Sequence, residues 1–156
     1  MIKIIFVCLG NICRSPLAEA IFNHKVKEKG LDQALKGESC GTADYHIGED
    51  PDTRSIAVAV KHKVEISHKG RQFHFKDGKN YNYILAMDMS NHRNIIHTLG
   101  YKHEGLFLMR DFDEQAKGAD VPDPYYGGED GFEDVYQMLD RTIESFIDYI
   151  VKEHDL

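Results

Sequence analysis

Apolar residues in this chain fall into short unbroken runs that alternate with longer stretches where they recur every three or four positions. Ile2 to Val7 is apolar except at Lys3, the pattern of a strand buried on both faces in a parallel sheet. Leu17 and Ile21, with Ala18, Phe22 and Val26 alongside, carry helical spacing, so residues 16 to 29 read as a helix that stops at Gly30. Pro16 suits its first turn, where a missing N–H costs no hydrogen bond. Glu38 to Thr42 is a weaker strand pattern, followed by a polar loop through Gly48, Glu49, Asp50 and Pro51. Thr53 to His62 reads as helix, Tyr83 to Met87 as strand, Ser90 to Leu99 as a helix ended by Gly100, and Leu106 to Met109 as the last strand. Residues 110 to 131 show no period. Beyond them Phe132, Val135, Tyr136, Leu139, Ile143, Phe146, Ile147 and Ile150 form the clearest amphipathic stripe in the chain. Strands alternating with helices predict an α/β fold, an open parallel sheet covered by helices on both faces.

Composition narrows this little and charge narrows it more. A length of 156 residues, 42% hydrophobic and 29% charged, suits one domain spanning 1–156. The formal charge of -7 argues against nonspecific binding of nucleic acid or acidic membranes, which demand a basic face. The apolar start is too short for a signal segment or a membrane span, so a cytoplasmic protein with no membrane insertion is expected. Cys8, Cys13 and Cys40 make an odd, irregular set, which is no disulfide framework. No C-x-x-C pair exists, and the nine histidines lack zinc-site spacing, so neither metal nor cofactor is expected.

The chemistry lies after the first strand. In parallel α/β sheets ligands bind beyond the carboxyl ends of the strands, and that is where Cys8-Leu9-Gly10-Asn11-Ile12-Cys13-Arg14-Ser15 begins. Gly10 and Asn11 both tolerate left-handed backbone angles, so the loop can curl its N–H groups inward as an anion nest, backed by the positive end of the following helix. Arg14 can fork two hydrogen bonds onto one phosphate, a geometry closed to Lys. The same surroundings favour a thiolate, the form in which a cysteine attacks. Neither the G-x-x-x-x-G-K-[ST] nor the G-x-G-x-x-G phosphate loop is present.

Cys8 to Ser15 with its continuation Pro16-Leu17-Ala18-Glu19, together with Asp123-Pro124-Tyr125-Tyr126-Gly127-Gly128, resembles the low molecular weight protein tyrosine phosphatases. Gly41-Thr42, Ser67-His68, Met87-Asp88 and Ser90-Asn91 extend the likeness over essentially the whole chain. It implies a four-stranded parallel sheet with flanking helices and metal-independent hydrolysis of aryl phosphates through a cysteinyl-phosphate. It further implies phosphotyrosine-containing proteins as substrates and phosphate or other oxyanions as inhibitors. By position, Cys8 matches the nucleophile, Arg14 the phosphate-binding arginine and Asp123 the general acid. An acid that protonates the leaving oxygen can then serve as base for the incoming water. Ser15 matches a serine that bonds the nucleophile, although alone it would read equally well as a helix N-cap. Asn11, Ser39 and His68 match a network that supports the loop, and Leu9, Tyr45, Tyr125 and Tyr126 match or approximate the walls of the substrate slot. Where the family commonly reads Ser-Ala-Gly, this chain has Ser39-Cys40-Gly41, which leaves Cys40 without a role. Cys13 is near enough in the loop to trap an oxidised Cys8 as a disulfide.

Three rivals share parts of this pattern. An arsenate reductase on this scaffold relays oxidation through later cysteines, and none follows Cys40. A protein arginine phosphatase typically carries Thr at the position of Ile12 and lacks the second aromatic that Tyr126 supplies. A noncatalytic phosphate-binding module would use the nest and Arg14 alone, leaving Cys8, Ser15 and Asp123 together by coincidence.

Overall fold

The computed structural model describes the backbone of all 156 residues and every side chain but that of Glu129. In chain order the elements are β1 (Ile2–Cys8), α1 (Arg14–Glu28), β2 (Leu35–Gly41), α2 (Thr53–Lys61), α3 (Asp77–Asn80), β3 (Tyr83–Ala86), α4 (Met89–Leu99), β4 (Leu106–Leu108) and α5 (Glu129–Glu153), with one 3₁₀ turn at Met109–Phe112. The four strands form one sheet in the order β2-β1-β3-β4, every pairing parallel. The chain steps from β1 to one side and returns to the other, so the order reverses between β1 and β3. The carboxyl ends of those two strands open the crevice in which such sheets hold ligands.

Strand alternation decides which helix covers which face. Ile4, Phe6 and Cys8 of β1 point into a core shared with α1, α2 and α5, while Ile5 and Val7 point into a second core with Ile95 of α4. All eight apolar positions of the C-terminal stripe are buried, and Phe146 packs on Phe22 of α1 and Phe112 of the 3₁₀ turn. Truncating a fully buried phenylalanine such as Phe146 to Ala typically costs about 3–5 kcal/mol, so this contact is a large share of a domain's net stability.

Most ends agree with the sequence pattern to within one or two residues, and the larger differences have physical causes. β2 begins at Leu35, three residues before Glu38, because a β-carbon at Gly37 would stand 2.7 Å from the Phe22 ring; glycine lets α1 lie on the strand but removes the alternation that marks one. β4 ends at Leu108 because the Leu108 amide turns to the Asp111 carboxylate, which starts the 3₁₀ turn. The short α3 has no apolar period to reveal it. Within the aperiodic segment, order comes from charge: Asp113, 1% exposed, binds Arg110 and Arg141, and Arg110 also donates to the Asp120 carbonyl.

One polar clamp ties α2 to α5. His62 lies flat on Tyr136 with centroids 3.9 Å apart, and Glu133 accepts hydrogen bonds from Lys61, His62 and Gln137. The Lys61 bond, with those of Gln137 and His62, brings the Glu133 carboxyl from its ordinary 4.5 down to about 2. A carboxylate depressed in the folded state stabilises fully above its unfolded value and loses that contribution as pH falls through the folded one. Glu133→Gln should therefore lower the melting temperature at pH 7, and the gap to wild type should close as pH drops from about 4.5 towards 2. Equal gaps across that range in thermal scans would contradict the assignment.

Candidate active site

The phosphate-type loop leaves β1 at Cys8 and enters α1 at Arg14, and neighbouring segments hold its outer side. The carbonyl oxygens of Cys8, Leu9 and Ile12 accept from the amides of Thr42, Ala43 and Asp52, and that of Cys13 accepts from Ser55 Oγ. With its carbonyls turned outward, the loop presents its N–H edge inward. Asn11 adopts φ 58°, the one left-handed residue of the loop. Gly10 does not, contrary to the expectation from its residue type. Its missing side chain serves contact instead, since a β-carbon there would stand 3.1 Å from the His46 ring.

Cys8 is 2% exposed, with Asn11 N–H at 3.2 Å and Ser15 Oγ at 3.0 Å from its sulfur. The Asn11 amide donates to the sulfur, and the Ser15 hydroxyl lies within hydrogen-bond reach of it. Ser15 lies inside the first turn of α1 and caps nothing; the N-cap position is Cys13. Asn11 donates to Ser15 Oγ and Ser39 Oγ and accepts from His68 Nε2 and the Arg71 amide, while Ser39 Oγ donates to Glu19. Ser39 and His68 thus meet Asn11, and Glu19 and Arg71 complete the cluster.

Arg14 is 3% exposed. Its Nη1 donates to Asp88 at 2.7 Å and to the Val121 carbonyl at 2.9 Å, while Nη2 stands 3.6 Å from Asp123. Burial opposes the guanidinium charge, yet Cys8, Asp88 and Asp123 outweigh it and raise Arg14 above its ordinary value. Nε and Nη2 have no hydrogen-bond partner among the described residues, so a fork remains for an incoming anion. Asp123 caps its own turn, accepting the Tyr125 amide at 3.0 Å.

A cavity of about 240 Å³ joins these groups, with Cys8 and Arg14 lining it alongside Leu9, Gly10, Ile12, Cys13, Tyr45, His46, Asp123, Tyr125 and Tyr126. Tyr126 is 93% exposed and stands at the rim, whereas Tyr125 is 39% exposed. Leu9, Tyr45, Tyr125 and Tyr126 all lie on this one cavity. His46 was missed, because a lone histidine in a polar loop carries no signal. Asp88 was missed as the partner of Arg14, although its N-cap position before α4 is readable.

The chain matches the family model for low molecular weight phosphotyrosine protein phosphatases over residues 3–156. It belongs to that family. The relative of that name from Schizosaccharomyces pombe is 41% identical over 94% of this chain and 95% of its own. A crystal structure of a protein tyrosine phosphatase from Entamoeba histolytica with Hepes in the active site superposes at TM-score 0.92, 37% identical and covering all of both chains. An arginine phosphatase from Drosophila superposes at TM-score 0.87, 29% identical over 96% of this chain and 98% of its own.

In the resting protein the other two thiols are held protonated by their environment. Burial, then the charges of Asp52, Cys8 and Asp123, push Cys13 up to about 12, and burial raises Cys40 well above its ordinary value. Iodoacetamide at pH 7 should label Cys8 and leave Cys13 and Cys40 untouched, as peptide mass spectrometry can read. Comparable labelling at Cys13 would contradict this environment.

Proposed function

We propose that this chain is a protein tyrosine phosphatase whose nucleophile is Cys8 and whose acid and base is Asp123. One observation carries the reading: Cys8 Sγ, Arg14 and Asp123 line a single cavity, with the Asn11 N–H donating to the sulfur and the Nε and Nη2 nitrogens of Arg14 free of hydrogen-bond partners among the described residues. The thiolate attacks phosphorus in line, the S–P bond forming as the P–O bond to the tyrosine ring breaks. Asp123 gives its proton to the departing phenolic oxygen. As a carboxylate it then takes a proton from the water that attacks the phosphocysteine, which releases inorganic phosphate and restores the thiolate. Arg14 and the inward N–H edge of the loop hold the three equatorial oxygens, whose charge must stay stabilised throughout. Ser15 Oγ donates to sulfur and eases its departure in the second step.

The walls support phosphotyrosine. Ile12, Leu9 and the rings of Tyr45 and Tyr125 offer apolar surface to a phenyl ring, and a Cys8 only 2% exposed favours the longer phosphotyrosine over phosphoserine. A phosphoarginine would want acceptors for its guanidinium N–H groups, and Ile12 supplies none. Partners are then phosphotyrosine-containing proteins, with free phosphate and other oxyanions as inhibitors and no nucleic acid. The cytoplasm, where thiols stay reduced, is the compartment in keeping with Cys8 chemistry. No described helix is long and apolar enough to cross a membrane.

Aryl phosphate hydrolysis tests the mechanism. Cys8→Ser should abolish turnover while still binding phosphate, and Asp123→Ala should lose about 10²–10⁴-fold. Full activity without Cys8, or an inert wild type, would overturn it. Cys13 is proposed as a redox guard: a Cys8 sulfenic acid condenses with the Cys13 thiol to a disulfide and water. Cys13→Ser should make peroxide inactivation irreversible to added thiol; recovery equal to wild type would refute the guard.

A further inference from the structure

The nucleophile and Asp123 sit on loops more than a hundred residues apart, and the start of α2 is bonded to both. On the nucleophile side, the Asp52 amide donates to the Ile12 carbonyl at 2.8 Å and Ser55 Oγ donates to the Cys13 carbonyl at 3.2 Å. On the other side, Arg54 Nη2 donates to the Tyr125 carbonyl at 2.9 Å and Nη1 to the Gly127 carbonyl at 3.1 Å. Asp52 fixes that guanidinium, accepting from Nε and Nη2 at 3.0 Å each while also capping the helix through the Arg54 amide at 2.9 Å. The guanidinium lies over the Phe132 ring at 4.5 Å and near the Tyr125 ring at 5.6 Å. Tyr125 is therefore held at both ends, its amide by Asp123 and its carbonyl by Arg54.

We infer that Arg54 is a positioning residue for the general acid, setting the place of Asp123 relative to Cys8. The inference rests on the assignment of Asp123 as that acid. Rigid planar donors suit such a junction, since an arginine can bind two carbonyls and a carboxylate at once and a lysine cannot hold that geometry. Arg54 itself touches neither Cys8 nor Arg14, so the loss should be confined to proton donation.

Leaving groups separate that effect from general damage. The quantity kcat/KM stops at cleavage of the P–O bond, where a poor leaving group requires the acid and a strongly acidic phenol scarcely does. Arg54→Met should lower kcat/KM for phenyl phosphate by about 10- to 100-fold and for 2,4-dinitrophenyl phosphate by less than about threefold, the size expected of a misplaced catalytic group. In an Asp123→Asn background the same substitution should change neither by more than about twofold, as coupled residues are non-additive. Arg54→Lys, which keeps the charge without the fork, should show the same leaving-group dependence to a smaller degree and stands in if the methionine variant does not fold. A loss equal across the series, a loss undiminished in Asp123→Asn, or slowed alkylation of Cys8 in Arg54→Met would overturn the inference. If Asp123→Asn alone leaves phenyl phosphate hydrolysis unchanged, the assignment of the acid fails instead.

Discussion

Asn11 is the residue on which the shape of the site depends. It holds φ 58° at 1% exposure, and its carboxamide makes the four hydrogen bonds such a group can make: two donated, to Ser15 and Ser39, and two accepted, from His68 and the Arg71 amide. A left-handed residue with a side chain costs roughly 1–2 kcal/mol. Four hydrogen bonds at about 0.5–1.5 kcal/mol each outweigh it. The strained backbone in turn aims the Asn11 N–H at the Cys8 sulfur. Such a buried cluster is all or nothing, because each missing partner leaves a buried polar group unsatisfied at about 1–3 kcal/mol. This accounts for the company it keeps: α1 supplies Ser15 and Glu19, β2 supplies Ser39, and the segment before α3 supplies His68 and Arg71.

That segment is itself anchored by charge. Arg71 forks onto Asp77 at the start of α3 and reaches the Tyr81 hydroxyl, which donates to Glu38 on β2. Its carbonyl accepts the Gly41 amide, and Phe73 returns a bond to Gly41. A β-carbon on Gly41 would come within 2.7 Å of the Leu9 carbonyl, so a glycine is what allows the end of β2 to lie against the loop. The sheet thus contributes more than a floor, since the register of β2 against β1 decides whether Ser39 meets Asn11 at all.

Elements with a strong, self-contained period were legible in the sequence: β1, because both faces are buried; α4, closed by a left-handed Gly100; and α5, whose stripe faces the core along its length. Groups that are contiguous in the chain were legible too: Cys8 and Arg14 share one cavity, and Ser15 Oγ lies 3.0 Å from the Cys8 sulfur. What could not be read was held by contacts between distant segments. The true start of β2 is set by a ring on α1, the role of Gly10 by the His46 ring, and the partner of Arg14 by the end of β3. Arg54 and Glu19 look like ordinary helix residues until the loops they bind are in place.

An acidic chain that captures a dianion needs its attraction to be local. Arg14 is almost fully buried, and an unpaired cation there would be expensive to desolvate; Asp88 at 2.7 Å offsets that cost but also cancels much of the charge. The remaining attraction then comes from direction. The loop carbonyls are bonded outward, α1 begins at Arg14, and the N–H groups on the inner side act at contact distance, where low exposure strengthens them. Such a site gains little from long-range steering, which a net charge of -7 would oppose for any phosphorylated partner. Selection therefore falls on what fits the slot, and the walls made by Leu9, Ile12, Tyr45 and Tyr125 matter as much as the anion they enclose.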